Sequence, residues 1–266
     1  MRLFENSGTV FAEDLKVAVA AGQVEGWRRF RKFGMNDDVD SGGDELVWPP
    51  GGLKTYPTTA GVASIVSDST DDDFAGTGAR TLTVLGLDSN YDEVSETVQM
   101  DGTVPVVTTQ TFLRLNRAFV QYVGTNSGTN IGNISISVGG ALQAYVEVGE
   151  GQSHQCEWTV PADHIYMIDV YSIVSGKLGS TDVMDFQGQI RVYDEDAPLS
   201  DPYQAWRTIS DIYMPEGVRD STNGVEVFPA KTDIRVIVNT NGNNRRATAV
   251  VDGYLVRSDV LGSYLK

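Results

Sequence analysis

The sequence predicts a mainly β fold made of two antiparallel β-sandwich or jelly-roll-like units, preceded by an extended N-terminal arm with at most one short helix. The 266 residues include 28 glycines against 9 prolines, a balance typical of short strands joined by tight turns. From residue 56 onward, several segments alternate apolar and polar residues with a period of two, as β-strands do. These segments follow one another without intervening helical patterns, which favours an antiparallel sandwich or barrel.

Residues 1–55 are predicted to form the N-terminal arm. Its helix candidate is Glu13–Ala21, because two acidic residues suit the start of a helix and Gly22 suits its end. The stretch LKVAVAAG in this segment also alternates like a strand, so both interpretations stand. A basic aromatic patch and an acidic loop follow, and Pro49–Gly52 marks the end of the arm. Since the arm has too few periodic apolar residues to fold alone, we expect contacts with other chains to order it.

Residues 56–150 are predicted to form the first β-sandwich unit. Arg80–Leu87 and Glu93–Met100 both alternate and flank a short polar loop, which predicts a hairpin. Ile134–Val138 and Leu142–Val148 are joined across a Gly-Gly turn and predict a second hairpin. Hairpins at such regular intervals are typical of a sandwich.

Residues 151–266 are predicted to form the second β-sandwich unit, after a hinge at Gly149–Gln152. Phe186–Tyr193 alternates so that one face packs and the other is solvated. Asp233–Val238 and Ala247–Val256 are joined by the turn-rich sequence TNGNNRR and predict a closing hairpin. The alternation predicts that the following side chains are buried: Ile134, Ile136, Ile190 and Val192.

Charge and hydropathy exclude some partners. The formal net charge of -16 repels phosphate, so nucleic acid is not expected as a partner. No uninterrupted apolar run approaches the roughly 18 residues that a bilayer crossing needs, so no membrane partner is expected. The N-terminus has no apolar core like that of a signal peptide, and we do not expect export by that route. Cys156 is the only cysteine, so no internal disulfide can form.

Residues that could support catalysis or metal binding are few. His154, His164 and Cys156 could in principle form a zinc site or a Cys–His pair, but their spacing matches no usual zinc framework. Cys156 is therefore interpreted as a small core residue.

Two acidic stretches contain the oxygen ligands that a cation site would need. Counted from Asn36, the first fails the EF-hand pattern, because Ser41 and Val47 stand where Gly and Glu are required. Asp71–Asp73 is interpreted as a solvated turn. The sequence has no G-x-S-x-G elbow or P-loop and singles out no carboxylate pair. We therefore expect no enzymatic activity, no catalytic residue, no metal and no cofactor.

A basic aromatic patch stands out in this acidic chain. One interpretation is nucleic-acid binding, which the net charge disfavours. Two others stay open: the patch packs onto its own domain, or it docks into a neighbouring subunit, with the rings as anchors and the arginines pairing with an acidic surface. The predicted docking residues are Trp27, Arg28, Arg29, Phe30, Arg31 and Phe33.

Longer stretches of the sequence resemble a family of virion structural proteins of tailed bacteriophages, common among phages of aquatic bacteria. The resemblance is carried by Lys32–Gly61 and Gly76–Val120, by the strand TNIGNISIS, by the strand entry VPADHIY, and by FPAKTDI before the last strands. It implies a place in the virion, assembled in the host cytoplasm, with the major capsid protein or other virion subunits as partners, and a homo-oligomer. It implies no catalytic residues.

We therefore expect a non-enzymatic structural protein, and foremost a capsid-associated decoration or cement protein that docks on the shell through its N-terminal arm. The alternative is a tail or tail-fibre component that binds a host-surface glycan, with exposed aromatic residues as the platform. The aromatic residues proposed for that platform are Tyr91, Trp158, Tyr203 and Trp206. A glycan-depolymerising enzyme is the third hypothesis, and the lack of β-helix repeats disfavours it.

Overall fold

The computed structural model describes residues 4–6, 9–11, 15–125, 128–176, 181–193, 205–215, 217–221 and 226–261. These residues are mainly β, and every pairing between the strands is antiparallel. The strands are β1 (Phe4–Asn6), β2 (Thr9–Phe11), β3 (Trp27–Val39), β4 (Glu45–Leu46), β5 (Gly61–Ser67), β6 (Ala79–Leu87), β7 (Glu93–Gln99), β8 (Val106–Phe112), β9 (Arg114–Val123), β10 (Ile134–Val138), β11 (Ala141–Val146), β12 (Glu157–Thr159), β13 (His164–Gly176), β14 (Met184–Val192), β15 (Arg207–Met214), β16 (Gly217–Ser221), β17 (Glu226–Phe228), β18 (Thr232–Thr240) and β19 (Arg245–Arg257).

The helices of the described chain are short: α1 spans Leu15–Ala20 and α2 spans Ser258–Leu261. Neither has the length or the apolar character needed to cross a bilayer. The helix predicted at Glu13–Ala21 is present as α1, whereas its predicted acidic start lies outside the described residues. Buried Ala18 and Val19 of α1 pack with Tyr254 and Val256.

Two sheets lie in the central part of the chain, with strand orders β11-β10-β5-β8 and β7-β6-β9. Their shared core is built mostly from alanine and branched apolar residues contributed by both sheets, together with Met100 and Phe112. Both hairpins predicted here are confirmed, β6 with β7 and β10 with β11. We call these seven strands the central group.

Two further sheets enclose the larger core. Their orders are β16-β13-β19-β3, with β17 beside β13, and β12-β18-β14-β15, with β4 beside β18. The core between them includes the large side chains Trp158, Tyr166, Phe186 and Met184. We call these strands the outer group, because the central group is inserted in the chain between β4 and β12.

Three predictions about organisation are wrong. Residues 27–48 are not part of a separate arm 1–55, because β3 and β4 pair with β19 and β18 of the outer group. The outer group is therefore discontinuous and does not coincide with residues 151–266. The predicted closing hairpin is also absent, since β18 and β19 lie in different sheets. Their apolar faces meet across the core, and the turn-rich connection TNGNNRR carries the chain from one sheet to the other.

The prediction of a mainly β fold with antiparallel strands is confirmed. The central and outer groups do not share one strand order, so a pair of equivalent jelly-roll-like units is not present. Ile134 and Ile136 are fully buried, as predicted. Ile190 and Val192 are only partly buried: Ile190 packs against the core opposite Arg207, the first residue of β15, and Val192 lies beyond the paired part of β15.

Gly34 illustrates why β3 belongs to the outer group. A Cβ atom at this position would collide with the backbone of Val47 and of Cys156. The backbone amide of Cys156 donates to the carbonyl oxygen of Val47 at 3.0 Å, so three chain segments meet at this point. Only glycine allows the strand to approach them so closely.

Candidate interaction surface

The basic patch lies on β3, which is an edge strand of its sheet. β3 pairs with β19 from Trp27 opposite Val256 to Val39 opposite Arg245. Because successive side chains of a strand point to opposite faces, the patch is divided between the interior and the surface.

The three rings of the patch pack against their own chain. Phe30 lies between Trp158 and Tyr166, with ring centroids 6.2 and 5.6 Å away. Trp27 packs on Tyr254 at 5.9 Å. These ring contacts support packing onto the same domain, while docking of the patch into a neighbouring subunit stays a prediction.

Phe33, the third ring, follows the same pattern and lies 5.1 Å from the ring of His154. Arg28, Arg29 and Arg31 are exposed and point outward. Arg28 donates to Glu93 of β7 at 2.5 Å, which links the outer group to the central group. Arg29 pairs with Asp252 of β19, and the hydrogen bond and charge of Asp252 raise the pKa of this guanidinium.

A charged groove of about 330 Å³ lies on the face of the sheet that carries Arg29 and Arg31. Arg29, Arg31 and Lys16 line it on the cationic side, and Asp169 and Asp252 on the anionic side. Lys16 forms an ion pair with Asp169 at 2.6 Å. The groove therefore carries one more cation than anion, on a chain whose total charge is strongly negative.

A buried ionic cluster joins the two groups. Arg114 of β9 donates to both carboxylate oxygens of Asp233 of β18, at 2.8 and 3.1 Å. Arg191 donates to the same carboxylate at 2.7 Å, and the Thr159 hydroxyl at 2.6 Å. Burial alone would raise the pKa of Asp233, but the charges and hydrogen bonds of Arg114 and Arg191 outweigh it and lower the pKa to about 2.

Aromatic rings cover the guanidinium groups of this cluster. Tyr56 lies 5.0 Å from Arg114 and 4.9 Å from Arg191. The ring of Trp206 lies 4.8 Å from Arg191 and 3.8 Å from Arg235. Such cation–π contacts are stronger when they are desolvated, so the rings stabilise charges that burial would otherwise penalise.

A second buried pair lies beside the first. Lys54, in the connection between β4 and β5, forms an ion pair with Glu157 of β12. The Tyr56 hydroxyl donates to the other oxygen of Glu157 at 2.6 Å. We use the name junction cluster for the side chains that connect the two groups in this region: Lys54, Tyr56, Arg114, Glu157, Thr159, Arg191 and Asp233.

The sequence did not predict the junction cluster. Its members come from separate segments, and Arg114 and Asp233 are 119 positions apart. The local signal is the presence of two charged residues, Asp233 and Arg235, inside the otherwise apolar strand TDIRVIV.

Cys156 and the two histidines are the residues that could form a zinc site or a Cys–His pair. Cys156 is fully buried, and burial raises the pKa of its thiol to about 12, so it stays protonated and is a poor nucleophile. Burial lowers the pKa of His164. His154 lies beside Phe33 and 3.6 Å from Glu150. Within the described ranges, no group of three His, Cys, Asp or Glu residues is arranged to hold a metal ion.

The acidic turn at Asp71–Asp73 differs from its prediction. Asp72 is fully buried and accepts four hydrogen bonds, from Ser67 and from the backbone amides of Ala79, Ile131 and Gly132. The prediction of a solvated turn is wrong for this residue. Its carboxylate fastens two loops of the central group together.

The four aromatic residues of the glycan hypothesis do not form one platform. Tyr91 and Trp158 are buried, Trp206 is half-buried, and Tyr203 lies outside the described residues. Tyr91 and Trp158 are instead used for internal packing, the first against Tyr193 and the second in the main core.

No protein-family model matches this chain, and none of the curated proteins matches it.

Proposed function

We propose that this protein is a non-enzymatic structural component of a tailed-phage virion, and that it serves as a capsid-associated decoration or cement protein. The observation that carries the proposal is the strand order of the outer group. Numbered in chain order from β3 to β19, with β4 and β17 left out, its eight strands follow the orders 6-3-8-1 and 2-7-4-5. This order supports a jelly roll, an architecture that viral capsid and lectin domains share.

The junction cluster supports a structural role as well. A decoration protein must hold its parts in one orientation while neighbouring subunits load it. Buried, fully paired charges between two groups of strands favour one arrangement over others, since any shift would leave a charge without its partner. The fold analogy suggests the class of protein, and the buried cluster supports the mechanical part of the role.

The exposed arginines of β3 are the part of the predicted docking set that still faces outward. We propose that Arg31, together with the charged groove around it, contacts an acidic surface of the shell. The test is to exchange the charge in Arg31→Glu and measure how much protein remains on purified particles. Arg207→Glu is the matched control, because Arg207 is an exposed arginine on β15 in the other sheet.

Quantitative mass spectrometry of purified virions tests the proposal as a whole. A copy number comparable with that of the major capsid protein supports a place on the shell. A copy number far below it favours the tail, and absence from the particle refutes the proposal.

A glycan-binding tail component is the second candidate, and one observation favours it. Gln189, Gln187 and Asp185 form a hydrogen-bonded row along β14, in which each amide donates to the next residue at 3.2 Å. Tyr213 lies directly opposite Asp185 and is 65 % exposed. Polar side chains beside an exposed ring are a combination that suits a sugar ligand.

Glycan-array binding by Tyr213→Ala distinguishes this candidate. Tyr122→Ala is the control, because Tyr122 of β9 is equally exposed but belongs to the central group. Loss of a glycan signal in the first variant alone supports the tail hypothesis, and no signal in the unmodified protein refutes it.

A further inference from the structure

Lys54 and Glu157 form an ion pair that is almost completely excluded from solvent. Their side chains are 2 % and 3 % exposed. The Lys54 amino group also donates to the carbonyl oxygen of Gln143 at 2.5 Å, and it lies 4.6 Å from the ring centroid of Trp48. The carboxylate of Glu157 accepts from Tyr56 at one oxygen and from Gln155, at 3.5 Å, at the other.

This environment favours the uncharged form of Lys54. Burial, and then the nearby charges of Lys32 and Arg114, lower the pKa of Lys54 well below its usual value. The proton that leaves the amine has an acceptor in contact with it, the carboxylate of Glu157. A neutral amine then faces a neutral carboxylic acid, which are the reactive partners for forming an amide.

We propose that Lys54 and Glu157 condense into an intramolecular isopeptide bond. The lone pair of the Lys54 Nζ atom attacks the Cδ atom of Glu157, and the N–C bond forms. The Cδ–Oε1 bond breaks. The Oε1 atom, which already carries the proton of the carboxylic acid, takes up one further proton from the nitrogen and leaves as water. The Tyr56 hydroxyl, which donates to Oε2, stabilises the negative charge that develops on that oxygen during the attack.

Two physical factors favour the product. Reacting groups held in contact within a folded chain reach effective concentrations of about 10⁵ M or more, which offsets the unfavourable condensation seen between separate molecules in water. The bond also replaces two buried ionisable groups by one neutral amide, which removes a desolvation penalty.

The contacts of two other lysines, Lys32 and Lys16, lack this combination. The amino group of Lys32 faces the backbone carbonyl of Asn116, which is not an acylating group. Lys16 pairs with Asp169 at the surface, where both side chains are in contact with water. Lys54 differs from both, because the fold places it against a carboxyl group in a dry environment.

The bond would close the chain around the entire central group, since its β5–β11 strands lie between residues 54 and 157. The inference does not depend on the proposed function. The protein could belong to a virion and lack the bond, or contain the bond and not belong to a virion. The copy number on purified particles tests the first proposal, and the intact mass tests the second.

Intact-mass measurement of the full chain under denaturing conditions tests the inference. We expect a mass lower than the sequence mass by one water molecule, and a proteolytic digest should contain a branched peptide that joins Lys54 to Glu157. The sequence mass without loss of water, in protein that has been folded and incubated at neutral pH, overturns the inference.

Lys54→Arg is the informative variant, because it keeps a long basic side chain at this position but lacks the Nζ atom that would form this bond. It should have the full mass of its sequence, while Lys16→Arg, the matched control, should still lack one water. Loss of water in Lys54→Arg would place the loss elsewhere, for example at the Asp101–Gly102 dipeptide through a succinimide, and would overturn the inference. If Lys54→Arg fails to fold, the branched peptide from the unmodified chain decides the question.

Discussion

Replacing Asp233 by Asn tests whether the junction cluster holds the two groups of strands together. The change removes the only carboxylate that Arg114 and Arg191 share among their described contacts, and it leaves both guanidinium groups without a counter-charge. Removing one partner of a buried ion pair costs about 3–5 kcal/mol. A typical domain has about 5–15 kcal/mol of unfolding free energy, so the loss should be a large part of the total.

The pKa of Asp233 gives a second estimate of the same effect. Lowering it from the ordinary 3.8 to about 2 corresponds to roughly 2 kcal/mol of preference for the charged carboxylate in the folded state. Because the pKa is lower in the folded state, this stabilisation is complete above pH 3.8 and is lost as the pH falls from there to about 2. The Asn variant should lack this acid-dependent part.

Urea unfolding at pH 7, followed by tryptophan fluorescence, measures the effect. Asp163→Asn is the control, because Asp163 is an exposed carboxylate in the same group of strands. A double-mutant cycle with Arg114→Gln should give a coupling of about 0.5–3 kcal/mol. An Asp233→Asn protein that unfolds within about 0.5 kcal/mol of the unmodified chain would refute the role assigned to the cluster.

Three further predictions concern other parts of the fold. Burial, and then the neighbouring Asp211, raise the pKa of Asp185 to about 6. The stability that Asp185 contributes is therefore present at low pH and is lost as the pH rises through about 6. In Asp211→Asn, thermal melts between pH 4 and 8 should show a smaller loss of stability. Phe30→Ala should lower the unfolding free energy by up to about 3 kcal/mol in denaturant titrations, because Phe30 is partly buried and packs against the core of the outer group, whereas a residue used only for docking would leave it unchanged. Asp72→Ala should leave buried backbone amides without an acceptor and lower the unfolding free energy by about 1–3 kcal/mol. Hydrogen exchange should become faster at the amides of Ala79 and Gly132. Unchanged exchange at these amides would contradict the role of Asp72 in connecting the two loops.

The period-two alternation was sufficient to predict strands whose partners are close in sequence. The hairpins β6–β7 and β10–β11 depend on a short turn and on local alternation, and both are visible in the sequence. β3 alternates too, with Arg29 and Arg31 on one face and Phe30 on the other. Its partner β19 lies more than 200 positions further along the chain, and no local pattern indicates such a pairing.

The charged residues show the same limit. Asp233 in an apolar strand indicated a buried charge, but the identity of its partner depends on how the central group is oriented against the outer group. That orientation is a property of the folded chain, because Arg114 reaches β18 only after both groups have formed.

The insertion of the central group explains why its attachment needs charged residues. Two chain segments connect it to the outer group: the stretch from β4 to β5 and the stretch from β11 to β12. Both contain glycines with positive φ angles, at Gly51, Gly52, Gly149 and Gly151, so the connections alone would allow several orientations. An apolar interface would tolerate sliding, since apolar attraction has no preferred direction. The bidentate Arg114–Asp233 pair has defined geometry and is far from water, so a rotation of the central group would expose or separate these charges. The junction cluster is therefore the feature that gives two flexibly connected groups of strands one relative orientation.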